Sequence, residues 1–268
     1  MPLPEIIREL SRIGFDGLEI AVNKGWSAYV DDLDKATRRD IRKQITESGL
    51  ELAALVSGYR NQVAPRAEFE AAQELYRREL ELALDWATPG LIPVMDVAVG
   101  GKSEEWDQLK DLIVERVSET VAISAEKNIV VALEPHVGQA IDSAERMLWV
   151  IEKVNSPYCK VNFDISHLNV QGVPVEVSVP LMAPHTAHVH IKDELGTYPD
   201  HQYLIPGEGG FDYANYLTLM HANGYTGMIS AEISLMVQRR PNYDAVAAME
   251  QTYNVVSEAW ARAGVPRG

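Results

Sequence analysis

Four stretches of the chain carry residues whose types and spacing could do chemistry. They are "VVALEPH" with Glu134 and His136, "VNFDISH" with Asp164 and His167, "AHVHIKD" with His188, His190, Lys192 and Asp193, and "ISAEIS" with Glu232. In each, a short apolar run delivers a carboxylate or an imidazole. These groups bind hard or borderline divalent cations and also move protons. Taken singly, each has an ordinary explanation: a glutamate caps a helix or pairs with Lys or Arg, "HVH" is a satisfied strand pair, and Asp164 with His167 makes a turn hydrogen bond. Glu134 and Glu232, however, interrupt runs that a buried strand would bring out of water, and an unpaired buried carboxylate is costly. Convergence of several such groups on one cation would offset all these costs together.

The elements that must position them follow from periodicity. Seven β-branched or apolar runs, 16–22, 51–58, 90–97, 128–135, 160–166, 186–193 and 227–234, alternate with segments of helical spacing. Between 104 and 127, Trp106, Leu109, Ile113, Val117 and Val121 fall three or four apart; Val246, Met249, Tyr253, Val256 and Trp260 repeat the pattern near the end. Strands alternating with helices indicate parallel βαβ units, and no linker composition breaks the chain, so one domain over residues 1–268 is expected. The expected fold is a (β/α)8 TIM-type barrel, in which chemistry sits at the C-terminal ends of the strands. The chain opens in the helical segment "LPEIIRELSRIGF", so the first strand of an eight-stranded barrel is absent from the sequence as given: either the start is displaced from the natural one, or the barrel is open at that seam. Strand alternation places His188, His190 and Lys192 on one face. An open dinucleotide-binding sheet is disfavoured because no Gly-x-Gly-x-x-Gly follows an early strand.

Composition narrows the function class. A formal net charge of −15 over 268 residues disfavours nucleic acid and anionic membranes as partners. No apolar run approaches the roughly 18–20 residues needed to span a bilayer. The lone Cys159 rules out an intrachain disulfide and suits a cytoplasmic location.

With these stretches in view, the chain resembles the sugar phosphate isomerase/epimerase superfamily, the xylose isomerase-like barrels that also include endonuclease IV. The resemblance rests on "ALEPH", "FDISHLN", "HVHIKD", "IPGEGGFDY" and "GYTGMISAEI", in family order. It implies metal ligands at Glu134, Asp164, His190 and Glu232, with His167 contacting substrate, and a small-molecule sugar or sugar derivative as substrate. Three oxygen ligands and one nitrogen suit Mn²⁺, with Mg²⁺ or Co²⁺ as alternatives. Family members are often oligomers, so a homo-oligomer is expected.

The implied reaction is isomerisation or epimerisation of a keto-sugar through an enediolate, with Glu134 and Glu232 as acid and base. Lys192 and Glu19 are expected in the substrate pocket. Two departures from ketose 3-epimerases stand out: Ala140 where those enzymes carry a further glutamate, and no arginine in "HIKDELGTYPDHQYLIPGEG". The alternative within the same chemistry is a lyase, a dehydratase or 3-keto-glycoside deglycosylase, working by β-elimination with His136 as catalytic acid or base. A nuclease would need more histidines and a basic surface, and a scaffold barrel would be expected to have lost ligands.

Overall fold

A computed structural model describes residues 1–58 and 61–267. The seven anticipated runs each form a strand: β1 (Gly17–Ala21), β2 (Glu51–Val56), β3 (Val94–Val97), β4 (Val130–Leu133), β5 (Cys159–Asp164), β6 (Thr186–Ile191) and, after a hairpin, β9 (Ile229–Ala231). They pair in parallel in the order β1-β2-β3-β4-β5-β6-β9. The helices between them include α1 (Leu3–Ile13), α2 (Lys35–Ser48), α3 (Arg66–Trp86), α4 (Trp106–Ala125), α5 (Ala144–Val154), α6 (Ile165–Asn169), α7 (Val175–Met182), α8 (Tyr213–Ala222), α9 (Leu235–Gln238) and α10 (Ala245–Ala263). Parallel neighbours need crossovers of this kind. Covered on both faces, β4, β5 and β6 are buried almost throughout.

The result is an α/β TIM-type barrel, nearly closed with seven strands. The anticipated seam lies between β9 and β1. Packing bridges it: a Cβ added at Gly17 would come 2.7 Å from the sulfur of Met228, the residue just before β9.

Two features differ from expectation. On α10 the inward face is Ala248, Thr252 and Ala259, while Val256 and Trp260 flank it half-buried. Small residues let this helix approach α8 and α1 closely. The segment after β6 also does not pass directly to a helix. It forms a hairpin of β7 (Asp193–Leu195) and β8 (Gln202–Leu204), whose short strands lack a periodic apolar pattern.

The hairpin gives Asp193 a structural task. Its carboxylate accepts backbone N–H bonds from Gly207 (2.8 Å), Gly209 (2.9 Å) and Phe211 (3.1 Å), fixing the "IPGEGGF" loop at the barrel mouth. Glycine is required at 209, where a Cβ would fall 2.7 Å from the Glu194 carbonyl oxygen. Hydrogen bonds to a charged acceptor contribute about 1.5–3 kcal/mol each. Asp193→Ala is therefore expected to cost about 3 kcal/mol or more in urea unfolding; a loss under about 0.5 kcal/mol would show that the loop is held by other contacts.

Candidate active site

The C-terminal strand ends bring the anticipated residues together. Register sets Asp164 of β5 opposite His190 of β6. One strand further, the Glu232 backbone N–H donates to the Ile191 carbonyl at 3.0 Å, which brings Glu232 alongside Lys192. Glu134 follows β4 directly. Ligand atoms of Glu134, Asp164, His190 and Glu232 all lie within 4.8 Å of one another.

Asp164 divides its two oxygens. Oδ1 caps α6, accepting from the Ser166 backbone N–H (2.9 Å) and hydroxyl (2.6 Å). The local turn hydrogen bonds of Asp164 thus go to Ser166 rather than to His167, and they leave Oδ2 to face inward. There Oδ2 meets Lys192 Nζ at 2.6 Å and His167 Nε2 at 3.5 Å. Lys192 also contacts Glu232 Oε2 directly, and its Nζ stands 5.0 Å from the centre of the Tyr203 ring. Burial would drive the Lys192 pKa down, but Asp164, Glu232 and Glu134 outweigh it and hold the ammonium firmly charged.

His188, His190 and Lys192 all point inward, as strand alternation anticipates. His190 Nδ1 lies 3.3 Å from Glu134 and 3.9 Å from Glu232, while Nε2 lies 2.8 Å from Glu19. Burial opposes charge on His190, yet the carboxylates Glu19, Glu134 and Glu232 raise its pKa well above the usual value. With the Nε2 proton directed at Glu19, Nδ1 can keep its lone pair for a cation, as metal-binding histidines do when a carboxylate orients them. Glu19 also takes a 2.6 Å hydrogen bond from His188 Nε2. Burial would raise the Glu19 carboxyl, and the two histidines more than reverse that. Glu19, anticipated in the substrate pocket, thus holds both His188 and His190.

His167 is buried, and its Nδ1 lies 2.7 Å from the Tyr203 hydroxyl. Burial, then the neighbouring His136 and Lys192, push its pKa well below the usual value, so it is neutral. Accepting from Tyr203 at Nδ1 leaves its proton on Nε2, facing Asp164 and, at 3.8 Å, Glu134. His136 stacks on His167 with ring centres 3.8 Å apart and places Nδ1 at 2.9 Å from the Val137 carbonyl. A proton donated there leaves Nε2 as the basic nitrogen.

Several site residues escaped sequence reasoning. Asp96 of β3 is buried with Oδ1 unpartnered; burial and then Glu134 raise its carboxyl far above the usual range. Asn162 of β5 is fully buried with its amide nitrogen 3.2 Å from His190 Nδ1. Both carry the signal used for Glu134, a polar residue inside an apolar strand. Tyr203 sits on the unanticipated hairpin and left no such signal.

Three carboxylates and an imidazole within ligand reach form a donor set that fits a hard or borderline divalent cation. The chain belongs to the xylose isomerase-like TIM barrel family, whose model matches residues 7–253. It is 28% identical over 159 residues to an uncharacterised protein of Methanocaldococcus jannaschii, covering 58% of this chain and 52% of that one. It is 23% identical over 189 residues to a 3-dehydroshikimate dehydratase of Bacillus anthracis, covering 70% of this chain and 65% of the relative. The chain thus spans about half to two thirds of the length of these curated relatives. Among solved structures, the apo form of 3-keto-D-glucoside 4-epimerase from E. coli superposes with a TM-score of 0.75 at 18% identity, covering 97% of this chain and 94% of that chain. No helix among the described residues is long and apolar enough to cross a membrane.

Glu194, opposite Tyr203 in the hairpin, supplies a pH test of this local structure. The Asn169 amide donates to one of its oxygens at 3.0 Å, while the other is buried without a partner. Burial, opposed by the Asn169 bond, raises its pKa from 4.5 to about 7. Between these values the folded state binds the extra proton, so this group's contribution to stability falls as pH rises from about 4.5 to 7. Glu194→Gln is expected to remove that decline, gaining about 1–3 kcal/mol on wild type between pH 5 and pH 7.5. Parallel urea-derived stability profiles for the two proteins would contradict the assignment.

Proposed function

We propose that the chain is a divalent-metal-dependent isomerase or epimerase acting on a keto-sugar, with Mn²⁺ as the ion and Mg²⁺ or Co²⁺ as substitutes. The observation that carries this reading is the convergence of Glu134, Asp164, His190 and Glu232 from four strand ends. These four would hold the ion, and Glu19 would orient His190. A bound divalent cation supplies Lewis-acid polarisation of a substrate carbonyl, which acidifies the adjacent C–H.

The chain's own residues do the rest. Glu134 and Glu232 project from strands separated by β5 and β6, so they reach a bound sugar from different sides. One takes the proton from the carbon beside the carbonyl, leaving an enediolate on the substrate, and the other returns a proton. His167 directs its Nε2 proton at a substrate oxygen, held in that tautomer by Tyr203. Lys192 offers positive charge beside the developing oxyanion.

A second reading has its own support. His136 keeps a basic Nε2 beside His167, and one relative is a dehydratase. If His136 takes the proton and the electrons expel a β-substituent, the same site is a lyase. The epimerase neighbour is named for a keto-glucoside, which supports a keto-sugar substrate.

Glu134→Gln and Glu232→Gln are each expected to lower turnover by about 10³-fold or more with unchanged circular dichroism; full activity in either would remove it from the acid–base pair. His190→Ala is expected to weaken Mn²⁺ binding by about 10-fold or more in calorimetry, and unchanged affinity would remove it from the ligand set. His136→Ala separates the readings: loss of about 10²-fold or more in activity indicates elimination, and near wild-type activity indicates epimerisation or isomerisation.

A further inference from the structure

Lys192 occupies the middle of the donor cluster. Its Nζ touches Asp164 Oδ2 at 2.6 Å and contacts Glu232 Oε2 directly, and both carboxylates belong to the four-donor set. An ammonium and a divalent cation bound to the same two oxygens would lie within strong mutual repulsion. An ion on those oxygens therefore competes with the ammonium.

We propose that Lys192 is a built-in counter-cation of the ion site: its ammonium neutralises Asp164 and Glu232 when no ion is bound, and ion binding displaces it. This rests on the divalent-ion reading given above and adds a competing resident to it. Only 2% of the Lys192 surface is exposed, so its ammonium cannot simply retreat into solvent. The Tyr203 ring, centred 5.0 Å from Nζ, offers an alternative, since a cation rests favourably on an aromatic face. His167 keeps that ring in place through the Tyr203 hydroxyl at 2.7 Å. The displaced ammonium therefore turns toward the space between the ion and His167, where substrate oxygens would lie. Lys192 thus sets ion affinity and couples ion loading to completion of the substrate pocket.

The competition has a thermodynamic signature. If the ammonium must leave before an ion binds, apparent affinity falls by the fraction of molecules in which it has left. The test compares wild type, Lys192→Met and Lys192→Gln in two measurements: Mn²⁺ titration followed by the electron paramagnetic resonance signal of free Mn²⁺, and thermal unfolding in chelator. Both variants are expected to bind Mn²⁺ about tenfold or more tightly than wild type. They are also expected to unfold at lower temperature in chelator, where Asp164 and Glu232 have lost their counter-ion, and to show a larger rise in Tm on adding Mn²⁺. Equal or weaker Mn²⁺ binding in both variants, with wild type binding, overturns the competition and leaves the ion site standing. No Mn²⁺ binding by wild type or by either variant overturns the ion site and the proposal with it.

Discussion

A carboxylate with no exposed surface needs positive charge within reach, and the one cation of Asp164's own strand, Lys160, lies four residues back, roughly 13 Å along β5. Its Oδ1 is satisfied locally by Ser166, so the demand falls on Oδ2. Because β5 pairs with β6, the answer comes from His190 and Lys192, which reach inward from β6 and the position just past it. The other acidic groups are arranged around those two cations: Glu134 and Glu19 on His190, Glu232 on Lys192. Asp96, whose carboxyl is pushed far upward, joins as a neutral group. Without an ion, four carboxylates set against two cations leave two negative charges; to ligate an ion through Nδ1, His190 gives up its second proton, and the surplus becomes three.

That accounting explains what was legible from the residues. Glu134, Asp164 and Glu232 could be found because each ends or follows a short apolar strand, whereas the choice of His190 among the strand-end histidines came from the family resemblance. The seven strands were legible for the same reason, since burial on both faces writes β-branched runs into the sequence. Glu19 was found as a strand-end carboxylate, but its partners were not. It ends a strand too, yet its position across the barrel, against His188 and His190, depends on closure that no local pattern encodes.

The hairpin was not legible. Its strands span three residues each, and their stability comes from Asp193 gripping the following loop and from Tyr203 bonded to His167, all contacts beyond the hairpin itself. On α10, the apolar stripe pointed to large residues, whereas close helix approach turned Ala248 and Ala259 inward. Asp96 and Asn162 were legible in principle, as polar interruptions of buried strands.

The measurement that tests the central claim most directly is proton NMR in heavy water of the Mn²⁺-loaded protein with a panel of ketoses and 3-keto-glycosides. If metal-assisted proton transfer beside a carbonyl is the chemistry of this site, deuterium enters the carbon adjacent to the carbonyl while an epimer or aldose grows in. Loss of a β-substituent with an unsaturated product would place the enzyme in the lyase class instead. No exchange with any member of the panel, in protein shown to hold Mn²⁺, would contradict the account.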